Sequence, residues 1–194
     1  DNLTGGAGND TFNVDSGTDT ITDLTTGDIL NVSSGATATI TNVTSFTATG
    51  SSSNSGTVTI STHNSSGGTV DMSLASGNYT LSGQGSIDTL TGGSGNDTIT
   101  GGSGADSLTG GSGNDTITGG VDNDTMAGGT GNDTFNVDSG TDTITDLATG
   151  DVLVVSSGAT ANATNISAFV ATSSTSNSGT ANLTTATGGG TIDL

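Results

Sequence analysis

Residues 92–100 read GGSGNDTIT, and the same nine letters return at 110–118. Stepping outward by nine from Gly83, the register runs GQGSIDTLT, GGSGNDTIT, GGSGADSLT, GGSGNDTIT, GGVDNDTMA, GGTGNDTFN, VDSGTDTIT and DLATGDVLV. The sixth position is Asp throughout: Asp88, Asp97, Asp106, Asp115, Asp124, Asp133, Asp142 and Asp151. The eighth is always apolar: Leu90, Ile99, Leu108, Ile117, Met126, Phe135, Ile144 and Leu153. An amphipathic helix repeats every 3.6 residues and a half-buried strand every two. A period of nine therefore marks a repeat architecture in which each unit supplies one short strand and one turn.

The register also opens the chain, where Asp1, Asp10, Asp19 and Asp28 are each followed two residues later by Leu3, Phe12, Ile21 and Leu30. Twelve of the 19 aspartates thus share one grid, which a merely solvated acidic surface has no reason to keep. A longer period encloses the short one. GNDTFNVDSGTDTITDL at 8–24 recurs letter for letter at 131–147, a shift of 123 residues. TNVTSF at 41–46 then answers TNISAF at 164–169, and GGTVD at 67–71 answers GGTID at 189–193 with one residue deleted between. Residue 1 falls inside a repeat, as expected of a piece of a longer tandem array.

Composition narrows the function. The chain has 34 Gly, no Pro, no Cys and no Trp, and its net charge of −19 comes from Asp alone, with neither Lys nor Arg to offset it. Such a surface repels nucleic acid and anionic lipid, which are bound through basic side chains. No apolar run is long enough to span a membrane, and no secretory leader opens the chain. Catalysis is not expected: there is no Cys nucleophile, His63 stands alone in a Ser/Asn-rich stretch, and no nucleophile elbow is present. The glycine-rich turns lack the Lys that a phosphate cradle uses.

The expected fold is all-β, a parallel β-roll or β-solenoid. Nonapeptide segments span 1–31 and 83–154, and Ser/Thr-rich β modules span 32–82 and 155–194. In those modules TATITNVT and GTVTIST alternate with the period of strands. Two nonapeptides make one coil, so residue i lies over residue i+18, about 4.8 Å away. Asp88, Asp106, Asp124 and Asp142 would then line one edge, and Asp97, Asp115, Asp133 and Asp151 the other. Carboxylates stacked about 5 Å apart repel. A hard cation between coils reverses that sign, and carboxylates with carbonyls are the oxygen set calcium prefers. Zinc would want His or Cys, and magnesium a tighter octahedron with its own waters.

The candidate ligands for several Ca2+ ions are Asp10, Asp19 and Asp28 with the eight aspartates from Asp88 to Asp151. The turn glycines complete the set through their carbonyls: Gly92, Gly93, Gly95, Gly101, Gly102, Gly104, Gly110, Gly111, Gly113, Gly119, Gly128, Gly129 and Gly131. Binding energy becomes folding energy, so the metal-free segment is expected to be disordered. GGVDND, which places Asp122 where others have Gly, VDSGTD, which lacks the glycine pair, and LTTGD and LATGD, which shift the remaining Gly by one, are expected to give weaker or empty sites.

GGSGNDTIT resembles the consensus of RTX, or haemolysin-type, calcium-binding repeats, most closely over 83–136. That resemblance implies a right-handed β-roll, calcium shared by Asp and turn carbonyls, and a bacterial protein exported by the type I machinery to the extracellular space or cell surface. With the 123-residue duplication, it points to a structural segment of a surface layer, filament or adhesin stalk that self-associates with neighbouring copies. Two other readings compete: the secretion and folding module of an exported enzyme, and an ice-binding solenoid in which Asn96, Thr98, Asn114 and Thr116 form ladders.

Overall fold

A computed structural model describes residues 1–172, 175–187 and 189–194 of the chain. Among the described residues every element is a β-strand, and every pairing between strands is parallel. Strands of two to seven residues alternate between two main sheets, one of ten strands and one of eight. Among the described residues no strand pairs with its immediate sequence neighbour. Each strand instead pairs with the one a full coil away, which is the topology of a parallel β-solenoid.

The nonapeptide supplies the reason. In Thr98–Ser103 and Thr116–Val121 the central Ile is buried while the flanking threonines face outward. The glycine pair that follows stays within the strand and continues the alternation, the first glycine buried and the second half-buried, and the chain turns to the opposite sheet after it. Register in this region is a constant eighteen residues. Leu81, Ile99, Ile117, Phe135 and Leu153 stack in one sheet. Leu90, Leu108, Met126 and Ile144 stack in the other. Eight nine-residue units, read as four coils from their spacing alone, thus fold as such.

The Ser/Thr-rich stretches continue the same coil with longer circuits. Thr18 pairs with Thr37 and Thr37 with Thr57, steps of nineteen and twenty residues. The second copy repeats both steps, Thr141 to Thr160 and Thr160 to Thr180. The extra residues are absorbed in a bulge that recurs too, between Ile40 and Val43 and between Ala163 and Ile166. Asn42 and Asn165, at the same place in each bulge, both take φ of 62°, a left-handed conformation that Asn tolerates better than most residues. The one-residue deletion shows as well: Phe46 pairs with Val70, but Phe169 with Ile192, a circuit shorter by one. One apolar core runs from Phe12 to Phe169 without a break between glycine-rich and Ser/Thr-rich segments.

Candidate metal centre

The sixth-position aspartates sit where strand meets turn, along the two edges of the solenoid. All eight from Asp88 to Asp151 are buried, as is Asp28. Each edge is a ladder. The backbone N–H of Asp88 donates to Asp106 Oδ1, that of Asp106 to Asp124 Oδ1, and that of Asp124 to Asp142 Oδ1, at 2.8–3.0 Å. On the other edge Asp97 N–H donates to Asp115 Oδ1, Asp115 to Asp133, and Asp133 to Asp151, at 2.7–2.9 Å. One carboxylate oxygen of each acceptor therefore fastens the preceding coil.

For Asp106, Asp115, Asp124 and Asp142 the second oxygen, Oδ2, is buried with no hydrogen-bond partner. A buried, unpaired carboxylate oxygen is costly unless a cation meets it. Its surroundings are oxygen-lined. A Cβ built on Gly101 would lie 2.5 Å from Asp106 Oδ2 and 2.5 Å from the carbonyl oxygen of Gly119 on the next coil. The same two kinds of oxygen crowd the missing side chain at Gly83, Gly92 and Gly110. Glycine is needed at the first position of the unit because carboxylate and carbonyl converge there. It is needed at the second for backbone reasons, with φ of 105° at Gly102 and 120° at Gly111.

The fourth position also takes positive φ at most units. Gly104, Gly113 and Gly131 have it at 121°, 122° and 139°, and so do Ser86 at 84° and Asp122 at 79°. The turn shape thus survives in GGVDND. Gly93 and Gly95 belong to the same motif without adopting positive φ among the residues that do.

Burial pushes these carboxyls upward in pKa. Asp106, Asp133 and Asp142 rise from 3.8 to about 6, first through desolvation, with neighbouring aspartates adding to it and a backbone N–H opposing. Asp97, Asp115, Asp124 and Asp151 shift the same way, again chiefly by desolvation. Desolvation thus disfavours the ionised form of these carboxyls, and a cation bound beside them would reverse that balance. Among the described residues no three Asp or His side chains converge as a metal cluster. The ligand set that fits is one or two carboxylates completed by backbone carbonyls, which suits calcium and not zinc.

Elsewhere the expected ligands behave differently. Asp28 Oδ2 accepts from the Thr25 N–H and hydroxyl, and Asp151 Oδ2 from the Ala148 N–H. The LTTGD and LATGD turns thus satisfy their own carboxylates. Asp97 Oδ2 accepts from Gly93 N–H at 2.8 Å. Asp10 is half-buried, its N–H donates to Asp28 Oδ1, and its Oδ2 lies 2.6 Å from the place of a Gly5 Cβ. Asp19 Oδ1 accepts from the Asp1 amino group, reproducing the Asp124 to Asp142 rung of the second copy.

Two aspartates outside the sixth-position grid join the turns. Asp146 accepts from Gly128 and Gly129 N–H at 2.9 and 2.8 Å, and Asp23 from Gly5 and Gly6 at 3.0 and 2.7 Å. Each stands at the first place of its nonapeptide, eighteen residues after the glycine it holds, and that offset was the available signal. Asn78, Asn96, Asn114 and Asn132 form a further ladder, in which each Oδ1 accepts from the N–H of the next Asn at 2.8–2.9 Å. Its polarity is opposite to that of the Asp ladder, so adjacent coils are tied in both directions.

No curated protein and no solved structure matches the chain. A family model does: the RTX calcium-binding nonapeptide repeat matches residues 1–22, 82–117 and 109–144. These segments carry the glycine cradles and the unpaired Oδ2 atoms and most rungs of the ladders. Through them the chain carries RTX calcium-binding nonapeptide repeats.

Proposed function

We propose that this chain is a calcium-dependent strut within a secreted, tandemly repeated bacterial surface protein. The observation that carries the reading is the unbroken passage of strands and core from RTX coils into Ser/Thr-rich coils and back. A tandem array of such units would extend as one rod, stiffened wherever several calcium ions bridge coils. RTX repeat proteins are generally secreted, and an extracellular location, where calcium is abundant, suits sites that need it to be charge-neutral. Export by the type I machinery and self-association into a layer, filament or stalk belong to the same reading, which assigns no catalysis to the segment. Electron microscopy of the full-length protein tests it. Straight rods or ordered arrays that dissolve in chelator are expected, whereas globular particles with one attached catalytic domain would favour a folding module of an exported enzyme. The 123-residue duplication stands against that alternative.

Ice binding has one observation in its favour. Thr80, Thr98, Thr116 and Thr134 stack in register on the outside of the ten-stranded sheet, with Ser82, Thr100 and Thr118 in a second row. The Asn96 and Asn114 side chains expected to join them use Oδ1 to hold the backbone instead. Thermal hysteresis measured on the calcium-loaded chain decides the point, and none detected would end this reading.

A further inference from the structure

The two copies of the 123-residue repeat do not lie the same way round. Thr18–Ile21, Thr37–Val43 and Thr57–Thr62 belong to the ten-stranded sheet, whereas their counterparts Thr141–Ile144, Thr160–Ile166 and Thr180–Thr185 belong to the eight-stranded one. The exchange runs both ways. Thr134–Val137 and Val152–Val155 lie in the ten-stranded sheet, and Thr11–Val14 and Ile29–Val32, which answer them, lie outside it. The cause is a half-integral number of coils. Six steps along the ten-stranded sheet carry Thr18–Ile21 to Thr134–Val137, and one more half coil reaches Thr141–Ile144 on the opposite side. At about 4.8 Å per coil, one repeat advances about 31 Å and turns the chain through half a revolution. What one copy presents on one broad face, the next presents on the other.

Charge is sorted between edges and faces. A row on the outside of the ten-stranded sheet passes from Thr20 through Thr59, Thr80 and Thr98 to Thr134, with threonine at every rung. The matching row on the eight-stranded sheet passes from Ser45 through Thr69, Thr89 and Thr125 to Asn182, with a hydroxyl or an amide at every rung. Neither row contains an Asp, although Asp71 stands in the row alongside the second. The exposed Asp15, Asp122 and Asp138 lie between strands, in the turns that form the edges. A rod of net charge −19 with neither Lys nor Arg repels its own kind, most strongly where carboxylates meet. Edge-to-edge contact brings Asp to Asp, while face-to-face contact brings together uncharged hydroxyls and methyl groups. In-register side chains of stacked sheets can interdigitate at a spacing of about 10 Å. Contacts that are weak singly add along a rod.

We propose that copies of this chain associate face to face through these two uncharged rows, and that both broad faces are used, so that association builds an open stack instead of a closed pair. The inference rests on the self-association reading above and names the surface it would use. The half revolution makes the stack open-ended. A closed two-fold pair hides one face of each partner, yet equivalent rows recur on the far side one repeat further along.

Sedimentation velocity of the whole 194-residue chain in calcium, over a range of concentrations, tests it. Wild type is expected to pass through dimers to larger species. Thr59→Asp with Thr98→Asp charges one face, and Thr89→Asp with Thr125→Asp the other. Each pair should stop growth at the dimer, and all four together should weaken association about tenfold or more. Asp is a poor strand residue, so calcium-induced circular dichroism is read on each variant, and a second measurement avoids added charge altogether. The chain has no Cys, so Thr98→Cys, Thr125→Cys and Ser16→Cys place single thiols on one face, the other face and an edge. Assembly should slow thiol modification at both faces and leave the edge unchanged. Wild type that stops at the dimer, or protection of one face alone, would overturn the two-sided stack. Assembly that ignores charge on both faces, or that protects Ser16→Cys instead, would overturn the surface and leave self-association standing. A chain monomeric throughout would overturn this inference, and the self-association reading falls with it only if the full-length protein also forms no arrays in the electron microscope.

Discussion

At the scale of the residue, the first glycine of each unit is the most constrained position, because it stands where two oxygens converge. Gly101→Ala would drive a methyl group to 2.5 Å from both Asp106 Oδ2 and the Gly119 carbonyl. We expect calcium affinity at that coil to fall at least tenfold and stability to drop by about 1–3 kcal/mol, read from calcium titration and urea unfolding. The paired aspartates carry a pH dependence whose sign follows from their environment. Asp106, Asp133 and Asp142 have their folded-state pKa raised from 3.8 to about 6. The folded metal-free coil therefore binds protons that the unfolded chain releases, so this stability is present below pH 3.8 and lost as pH rises through 6. In chelator, β-structure should grow as pH is lowered from 7 to 4. In calcium the carboxylates are already neutralised, and acid should instead compete with the ion. Far-ultraviolet circular dichroism across that range, with and without calcium, checks both signs.

At the scale of the element, the nine-residue word was legible almost completely. The fixed Asp, the fixed apolar residue and the glycines gave strand, turn, coil length and the stacking of Asp over Asp, because each letter answers one local demand. The Ser/Thr-rich stretches were less legible. Alternation in TATITNVT predicts a strand, but whether that strand extends the coil or packs as a separate sandwich depends on partners eighteen to twenty-four residues away. Local letters do not name such partners. The bulge at Asn42 and Asn165 belongs to the same class, since it compensates a circuit length that becomes visible only once the coil is closed. Asp23 and Asp146 were hidden for another reason: they act through backbone N–H groups of a different coil. Asp146→Ala leaves the Gly128 and Gly129 N–H groups without their acceptor and should destabilise the calcium-loaded chain by about 1–2 kcal/mol in urea unfolding. Asp146→Asn, which keeps an acceptor, should recover part of that loss.

At the scale of the whole molecule, the account rests on charge. A chain with nineteen Asp carboxylates and no Lys or Arg buries nine of them, eight at consecutive coils along its edges, with four carboxylate oxygens unpaired among the described residues. Hydrophobic burial alone does not favour that arrangement, because the core offers mostly one large side chain per nonapeptide and the carboxylate rows oppose it. Calcium links the two halves of the problem by turning repulsion between coils into attraction. The measurement that tests this most directly is circular dichroism at neutral pH, first in chelator and then in millimolar calcium. The account predicts a disordered spectrum that converts to β-structure as calcium is added. A spectrum already rich in β-structure in chelator, and unmoved by calcium, would contradict it.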